Sequence, residues 1–451
     1  MSVDEAEEIT GRAARYAGPG GFAFVTRERS LMLRFAAGRP TQSTFIDDHT
    51  VEIAIPFRGH VGRASTNAVD DKALEECASR AREAARAAAA TGDGRFPGFD
   101  PDHELVDYES FDADTAALDA GLGGAALAET FAVAGDHGVE AHGIWTVAEL
   151  EYGWELADEG GGWARHTDAF MKVICIAPGG RSGYASQAAV AVGDIRPREL
   201  AERAAGKAAF GSETAGLPPG EYPVVFEAQA TGWLLDLLAG CAFNGLAHAE
   251  GRGALDGRLG ERVTAPAIDL SDSPGNRRTL PREFDAEGTR KAPIPLIQNG
   301  VAHGVAHDIR SAALAGERST GHALTPGGDP GGPHPSNLVL AGGGAVDETE
   351  LCAPVERGIY VTRLWYANVV RPKETLITAV TRDGTFLIED GRVTRPLRDL
   401  RLTDSVLGIL SRTEALTRGQ ALTSDGEFYG RRFAYGVVCP ALRADGVRFT
   451  G

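Results

Sequence analysis

Along this 451-residue chain the hydrophobic pattern changes character at one place. Before it, helical spacing and strand alternation trade places; after it, strands and turns dominate. The change falls between Gly211 and Gly220, a stretch rich in Gly, Pro and Ser that precedes the run Tyr222-Pro223-Val224-Val225-Phe226. A break of this composition between two differently patterned halves marks a domain boundary. It predicts an α+β protein with an N-terminal α/β domain over residues 1–215 and a β-rich C-terminal domain over residues 220–451. A chain this long can bury a large core.

In the first half, Ala6 to Tyr16 reads as a short helix, and Phe22–Val25 and Leu31–Phe35 read as two strands, with Gly38 in a turn. Val51, Ile53, Ile55 and Phe57 alternate with Glu52, Ala54, Pro56 and Arg58, the period-2 pattern of a half-buried strand. Asp70-Asp71 opens a helix to about Ala90, with Leu74, Cys77, Ala78, Ala81, Ala84 and Ala85 at helical spacing. A further helix is expected between Asp112 and Gly138. Strands follow near Gly143–Leu156 and Phe170–Ala177, with Gly160-Gly161-Gly162 as the turn between them. Pro197–Ala209 is a helix whose proline sits in the first turn, where it is tolerated. In the second half, Asn299-Gly300, Asp383-Gly384 and Asp390-Gly391 each read as hairpin turns.

Composition removes several functional classes. No apolar run reaches the roughly 20 residues needed to span a bilayer, so no membrane role is expected. Met1–Glu8 is acidic and lacks the basic and apolar regions of a signal peptide. Five scattered cysteines without a CxxC pair fit reduced thiols, and the expected location is cytoplasmic. A net charge of −18 argues against sequence-independent nucleic-acid binding, which needs a concentrated positive field.

Three stretches imitate chemistry without supporting it. His303 and His307, with Asp308, have the i, i+4 spacing of a helical metal site, but Gly304 and the Asn299-Gly300 turn place them on a strand. There the pair stands about 13 Å apart and cannot share an ion. His103-Glu104-Leu105-Val106-Asp107 follows a Pro/Gly-rich loop, which denies it a helical face. Gly342-Gly343-Gly344 is followed by neither Lys nor a helix and reads as a turn. No Gly-x-Ser-x-Gly elbow nominates a serine nucleophile.

The most telling stretch is Leu234-Leu235-Asp236-Leu237-Leu238-Ala239-Gly240-Cys241, followed by Asp256-Gly257-Arg258-Leu259-Gly260-Glu261. It resembles the metal-motif region of the TldD/TldE (PmbA, modulator of DNA gyrase) family. Active TldD-type members carry His-Glu-x-x-x-His after a Leu-Leu pair, then a Ser-Gly-Gln-Val-Gly-Glu-like stretch. Other segments carry the same likeness. Arg34-Phe35-Ala36-Ala37-Gly38 resembles R-F-A-N-G, and Gly62-Arg63-Ala64-Ser65-Thr66-Asn67 resembles G-S-A-S-T-N. Arg382 to Val393 resembles the hairpin G-x-F-x-I-E-N-G-E-I, and Pro335-Ser336-Asn337-Leu338 is also family-like. The resemblance puts Asp236 and Cys241 at the two His positions and Leu237 at the Glu position.

A leucine cannot take a proton from metal-bound water. Helical residues at i and i+5 lie roughly 140° apart, so a third ligand must reach across to them. In TldD-type members that ligand is a Cys near the C-terminus, and its position here falls near Gly426. The resemblance therefore implies a subunit with no catalytic, cofactor-binding or metal-ligating residues of its own. Its partner would be a TldD-like metallopeptidase subunit that holds zinc and trims small or unfolded peptides presented in extended form. A hydrolytic or tailoring step in small-molecule biosynthesis, or a binding-only homodimer, are the other readings.

Overall fold

A computed structural model describes residues 3–92, 94–102, 104, 106–157, 159–211, 213–424 and 432–451. Helix α1 (Val3–Ala17) is followed by strands β1 (Phe22–Ala36), β2 (Arg39–Phe57) and β3 (His60–Thr66), then by α2 (Asp71–Ala89). The short α3 (Ala113–Ala116) and α4 (Ala120–Asp136) lead into β4 (Glu140–Leu156), β5 (Gly160–Ile176) and β6 (Ser182–Ala189), and α5 (Pro197–Ala209) follows. The six strands form one antiparallel sheet in the order β3-β2-β1-β4-β5-β6.

Side-chain parity decides what each face of this sheet meets. On β1, Ala23 and Val25 pack under α1 and α2, while Leu31 and Phe35, of the same parity, pack with α4. Phe22 and Phe24 point the other way. With Tyr152 and Trp154 of β4 they meet Leu280, Phe284 and Ala434 of the second half. Helices cover one face and the second half covers the other, a layered α+β arrangement.

The second half opens with β7 (Gly220–Phe226), α6 (Ala228–Ala242) and α7 (Gly245–Ala249). Next come β8 (Leu270–Asp272), β9 (Ile294–Gln298), β10 (Val301–Ala302), α8 (Ile309–Ala315), β11 (Asn337–Leu340) and α9 (Glu348–Cys352). The long pair β12 (Arg357–Arg371) and β13 (Leu376–Glu389) is followed by β14 (Arg392–Pro396), β15 (Arg401–Ser405), α10 (Val406–Ser411), β16 (Thr413–Thr423) and β17 (Gly436–Phe449). Strand β7 pairs with β12 in parallel and with β17 antiparallel, so β7, β12, β13, β15 and β17 close into a ring. Helix α6 packs on β12 and β17 and buries Leu234, Leu235 and Leu238 completely.

Several sequence expectations change in detail. Phe22–Val25 and Leu31–Phe35 belong to one strand, because Arg27, between them, is held by Asp47 of β2 at 2.9 Å and needs no loop. The helix expected over Asp112–Gly138 breaks at Leu118, which has φ 52°, and restarts under the cap Asp119. Gly160–Gly162 open β5 rather than form the turn; Gly161 lies so close to Trp154 that a Cβ would sit 2.1 Å from its carbonyl oxygen. Asp383-Gly384 is a bulge inside β13, with both residues opposite Thr362. Positive φ at both residues satisfies a bulge as well as a turn. The other two turns are hairpins, Asn299-Gly300 between β9 and β10 and Asp390-Gly391 between β13 and β14.

Charged groups join the two halves. Arg432 is 2% exposed and donates from Nε to Asp168 Oδ2 of β5 at 3.0 Å and from Nη1 to Thr146 Oγ1 of β4 at 2.9 Å. Glu283 meets His166 Nε2 at 2.8 Å and accepts from Ser110 at 3.1 Å. Removing one member of a buried ion pair strands the other charge away from water. Arg432→Met should therefore destabilise the chain by about 3–5 kcal/mol. Adding Asp168→Leu should recover most of that loss. Urea midpoints of the single and double variants check both statements.

A second buried cluster sets a pH dependence. Asp285, Glu287 and Asp308 are each at most 2% exposed. Burial pushes Asp285 up to about 7 against the pull of backbone N–H donors, and burial with the charges of Asp285 and Asp308 holds Glu287 well above the usual carboxylate range. Raised folded-state values mean that the neutral forms favour folding. This contribution is complete below about pH 4 and is lost as pH rises through about 7. Melting temperature should fall more steeply between pH 5 and pH 8 in the parent than in Glu287→Gln, which cannot ionise. Parallel melts at the two pH values decide it.

Candidate functional site

The helix α6 starts where β7 ends, at Glu227. This residue sits at the N-cap with no side-chain cap bond, because its carboxylate is used elsewhere. Lys207 Nζ of α5 reaches Oε1 at 2.6 Å, Tyr360 of β12 donates to Oε1 at 2.8 Å and Thr362 at 3.0 Å. Burial alone would raise the Glu227 carboxyl, but Lys207 and Arg203 outweigh it and hold it below its ordinary value. The start of α6 is thus tied to both halves of the molecule by one ionised carboxylate.

Two turns along α6, Asp236 is half-buried and meets His334 Nε2 at 3.3 Å. His334 lies just beyond the Gly327–Gly332 loop and packs edge-on to Tyr435, with ring centroids 6.3 Å apart. The cleft in front of Asp236 is small, about 30 Å³, and is lined by Gly232, Trp233, Thr423, Ser424 and Tyr435. Gly232 makes that closeness feasible, since a Cβ there would lie 2.0 Å from Thr423 Oγ1. Leu237 is partly buried against the main core. Cys241 is 5% exposed, and burial pushes its thiol up to about 11, so it is neutral near pH 7.

These residues do not make a donor set for catalytic zinc, which takes three protein ligands and keeps an open position. Leu237 has no donor atom, and Cys241 offers a buried neutral thiol. Asp236 is brought together with one histidine, and no group of three or more His, Cys, Asp or Glu able to hold a metal occurs among the described residues. The position near Gly426 lies outside the described residues. Cys439, the cysteine nearest to it in sequence, is fully buried and its thiol lies against the carbonyl of Ala228 at 3.2 Å.

The remaining sequence candidates separate. The segment from His303 is not a strand, because β10 ends at Ala302 and Asp308 already caps α8, accepting from Ser311 N at 2.7 Å. His303 is exposed while His307 is buried against Ser311 Oγ at 3.2 Å, so the two point to different surroundings. His103 and Leu105 lie outside the described residues, and Glu104, Val106 and Asp107 are in neither helix nor strand. Asp256 is turned outward to Lys373 at 3.4 Å. Sequence reasoning missed His334, which is 98 positions from Asp236. Its one available signal was its place next to the Pro335-Ser336-Asn337-Leu338 stretch.

Known proteins resemble this chain along its length. The family description "PmbA/TldA metallopeptidase C-terminal domain" matches residues 219–451, and "PmbA/TldA metallopeptidase domain 1" matches residues 23–85. A metalloprotease of Methanothermobacter thermautotrophicus is 26% identical over 218 residues, covering 48% of this chain and 47% of that protein. A metalloprotease TldD homolog of Haemophilus influenzae is 27% identical over 285 residues, 60% of this chain and 57% of that one. The chain thus spans about half the length of the curated relatives it matches. Among solved structures, TldE from Thermococcus kodakarensis superimposes with a TM-score of 0.82 at 19% identity, over 99% of both chains. A Thermotoga maritima protein named for modulation of a DNA gyrase gives 0.83 at 20% identity over the whole of both. With more than half of its length matched by the family's C-terminal domain, the chain belongs to the PmbA/TldD family of metallopeptidase-like proteins.

Proposed function

We propose that this chain is the subunit without metal chemistry in a two-subunit peptidase, whose TldD-like partner holds the zinc. The observation that carries the reading is α6 itself. Where active family members place His, Glu and His, it presents Asp236, Leu237 and Cys241, and its surroundings add only His334. Likeness in fold to a protein named TldE is a second support. The expected substrate is a small or unfolded peptide in extended form. Such a subunit acts by closing off space and by holding substrate backbone, work that needs no ionisable catalyst.

Contact with the partner is assigned to the second half. Tyr366 is 72% exposed and Val370 50% exposed near the end of β12, with Val369 beside them, an apolar group that a partner would cover. Mixing the chain with a TldD-like protein of the same genome should give a stable complex that cleaves unstructured peptides and is silenced by a chelator. Tyr366→Asp with Val370→Asp should weaken the association by tenfold or more, about 1.4 kcal/mol. Absence of association on size-exclusion chromatography, with a TldD-like protein equally active alone, would overturn the role.

The metal statement has its own test. The purified chain should hold less than stoichiometric zinc. The triple variant Asp236→His, Leu237→Glu, Cys241→His should gain no metal-dependent cleavage, because working sites also depend on the groups that orient their ligands. Elemental analysis and a peptide-cleavage assay read both results.

A further inference from the structure

We infer that the cavity between the β2–β3 turn and α8 binds the phosphoryl group of a small phosphate monoester. This site is separate from α6, and the inference does not depend on the partner role proposed above. The cavity holds about 600 Å³ and lies where the first half meets the second. Pockets for small molecules span roughly 300–1,000 Å³. One wall is the β2–β3 turn, with the segment that carries Arg95. The other is the end of α7 and the face of α8 that carries Arg310 and Leu314, with Gly327 beside it.

The backbone positions both guanidinium groups. On one side of Arg95, Gly94 sits so close to Gly59 that a Cβ would come 1.9 Å from the Gly59 carbonyl oxygen. On the other, the Phe96 N–H donates to that same carbonyl at 2.8 Å. The segment is thus fastened to the turn on both sides of Arg95. Across the cavity Arg310 is half-buried, and its stem runs beside Gly328, where a Cβ would meet Arg310 Cβ at 3.5 Å. Arg310 and Leu314 stand four apart on α8, so a single helix face fronts the cavity. His60 meets the Gly92 carbonyl through Nε2 at 2.8 Å, so in the neutral ring Nε2 carries the proton and Nδ1 accepts.

The positive charge of this cavity is not spent on the protein. Among the described residues neither Arg95 nor Arg310 forms an ion pair or a side-chain hydrogen bond. The one carboxylate on the wall, Glu250, is held by Arg252 at 2.5 Å. Asp308, two positions before Arg310, is 1% exposed and accepts from Ser311 N of the α8 backbone at 2.7 Å. Two uncompensated guanidinium groups on facing walls suit a phosphoryl group, which carries about −1.5 to −2 charge near pH 7 and three terminal oxygens. A carboxylate has one charge and two oxygens, and a single guanidinium fork already grips it in full. Val61 and Leu314 add apolar surface for the body of the ester, and His60 Nδ1 an acceptor for a hydroxyl. A sugar phosphate has all three parts.

Isothermal titration of the full chain with ribose 5-phosphate, ribonate and ribose tests this. Ribose 5-phosphate should bind once per chain, at least about tenfold tighter than ribonate, with an affinity that added salt weakens. Ribose should show no saturable binding, and inorganic phosphate should compete with the ester. Arg95→Gln and Arg310→Gln should each weaken binding about tenfold, and the double variant should abolish it. Because both side chains are unpaired, the variants should melt with the parent when no ligand is present. Equal binding of ester and ribonate, ester binding that survives the double variant, or no binding would overturn the proposal. So would phosphate bound at a place from which ribose 5-phosphate does not displace it. These titrations use this chain alone, so their failure leaves the partner role standing, and failed association with a TldD-like protein leaves the phosphoryl site standing.

Discussion

The placement of α6 depends on one buried carboxylate. Glu227 stands where β7 becomes helix and takes charge-assisted bonds from Lys207 of α5 and hydroxyl bonds from β12. A carboxylate 4% exposed is tolerable only if nearby cations and donors replace water. That requirement pins the helix start in position relative to both sheets, and everything further along α6 inherits the position. Asp236 meets His334, and Gly232 meets Thr423, because the helix begins at a fixed point and is then held down by Leu234, Leu235 and Leu238.

The same logic governs the join between the two halves. An apolar contact of Phe22, Phe24, Tyr152 and Trp154 with Leu280 and Phe284 brings the layers together. Non-directional burial alone would let the layers slide. The Arg432–Asp168 and His166–Glu283 pairs set the register between them, each being too deeply buried to break cheaply, and within the second half Arg363 is paired with Asp383 in the same way. Asp383 shows how the fold secures such a pair. Its bulge turns the carboxylate toward Arg363 Nε at 2.8 Å and Ser182 of β6 at 2.6 Å, joining the C-terminal ring to the edge of the first sheet.

What was legible in the sequence follows from the range of each interaction. Helix α2 was readable because its cap Asp70 and its buried stripe of Leu74, Cys77, Ala78, Ala81 and Ala85 are local features. Pro197 at the start of α5 and the hairpins at Asn299-Gly300 and Asp390-Gly391 were readable for the same reason. Asp383-Gly384 was misread because its local signal, positive φ, fits a turn and a bulge equally; only the continuation of β12 opposite selects the bulge. The break at Leu118 and the start of α8 at Asp308 carry local signals of another kind, the caps Asp119 and Asp308, which accept from Gly121 N and Ser311 N and which apolar periodicity does not report. The identities of Asp236, Leu237 and Cys241 were plain in the chain. His334 was hidden, since a pairing across 98 positions leaves no local trace.

The three residues on α6 find their surroundings within the protein itself. In a structural or catalytic metal site, part of the folding energy comes from the ion, and its removal leaves buried polar ligands without partners. None of that debt exists here. Asp236 is half-exposed and already faces His334, Leu237 packs on the core with no polar atom to satisfy, and the Cys241 thiol is neutral in its buried place. A glutamate at position 237 would bring a charge to the edge of an apolar core, and a histidine at 241 would put two polar nitrogens where a thiol now sits. The residues present are those a helix can carry when its polar groups must be satisfied by protein and water alone. The packing of α6 thus satisfies Asp236, Leu237 and Cys241 with protein groups and asks for no ion at these three positions.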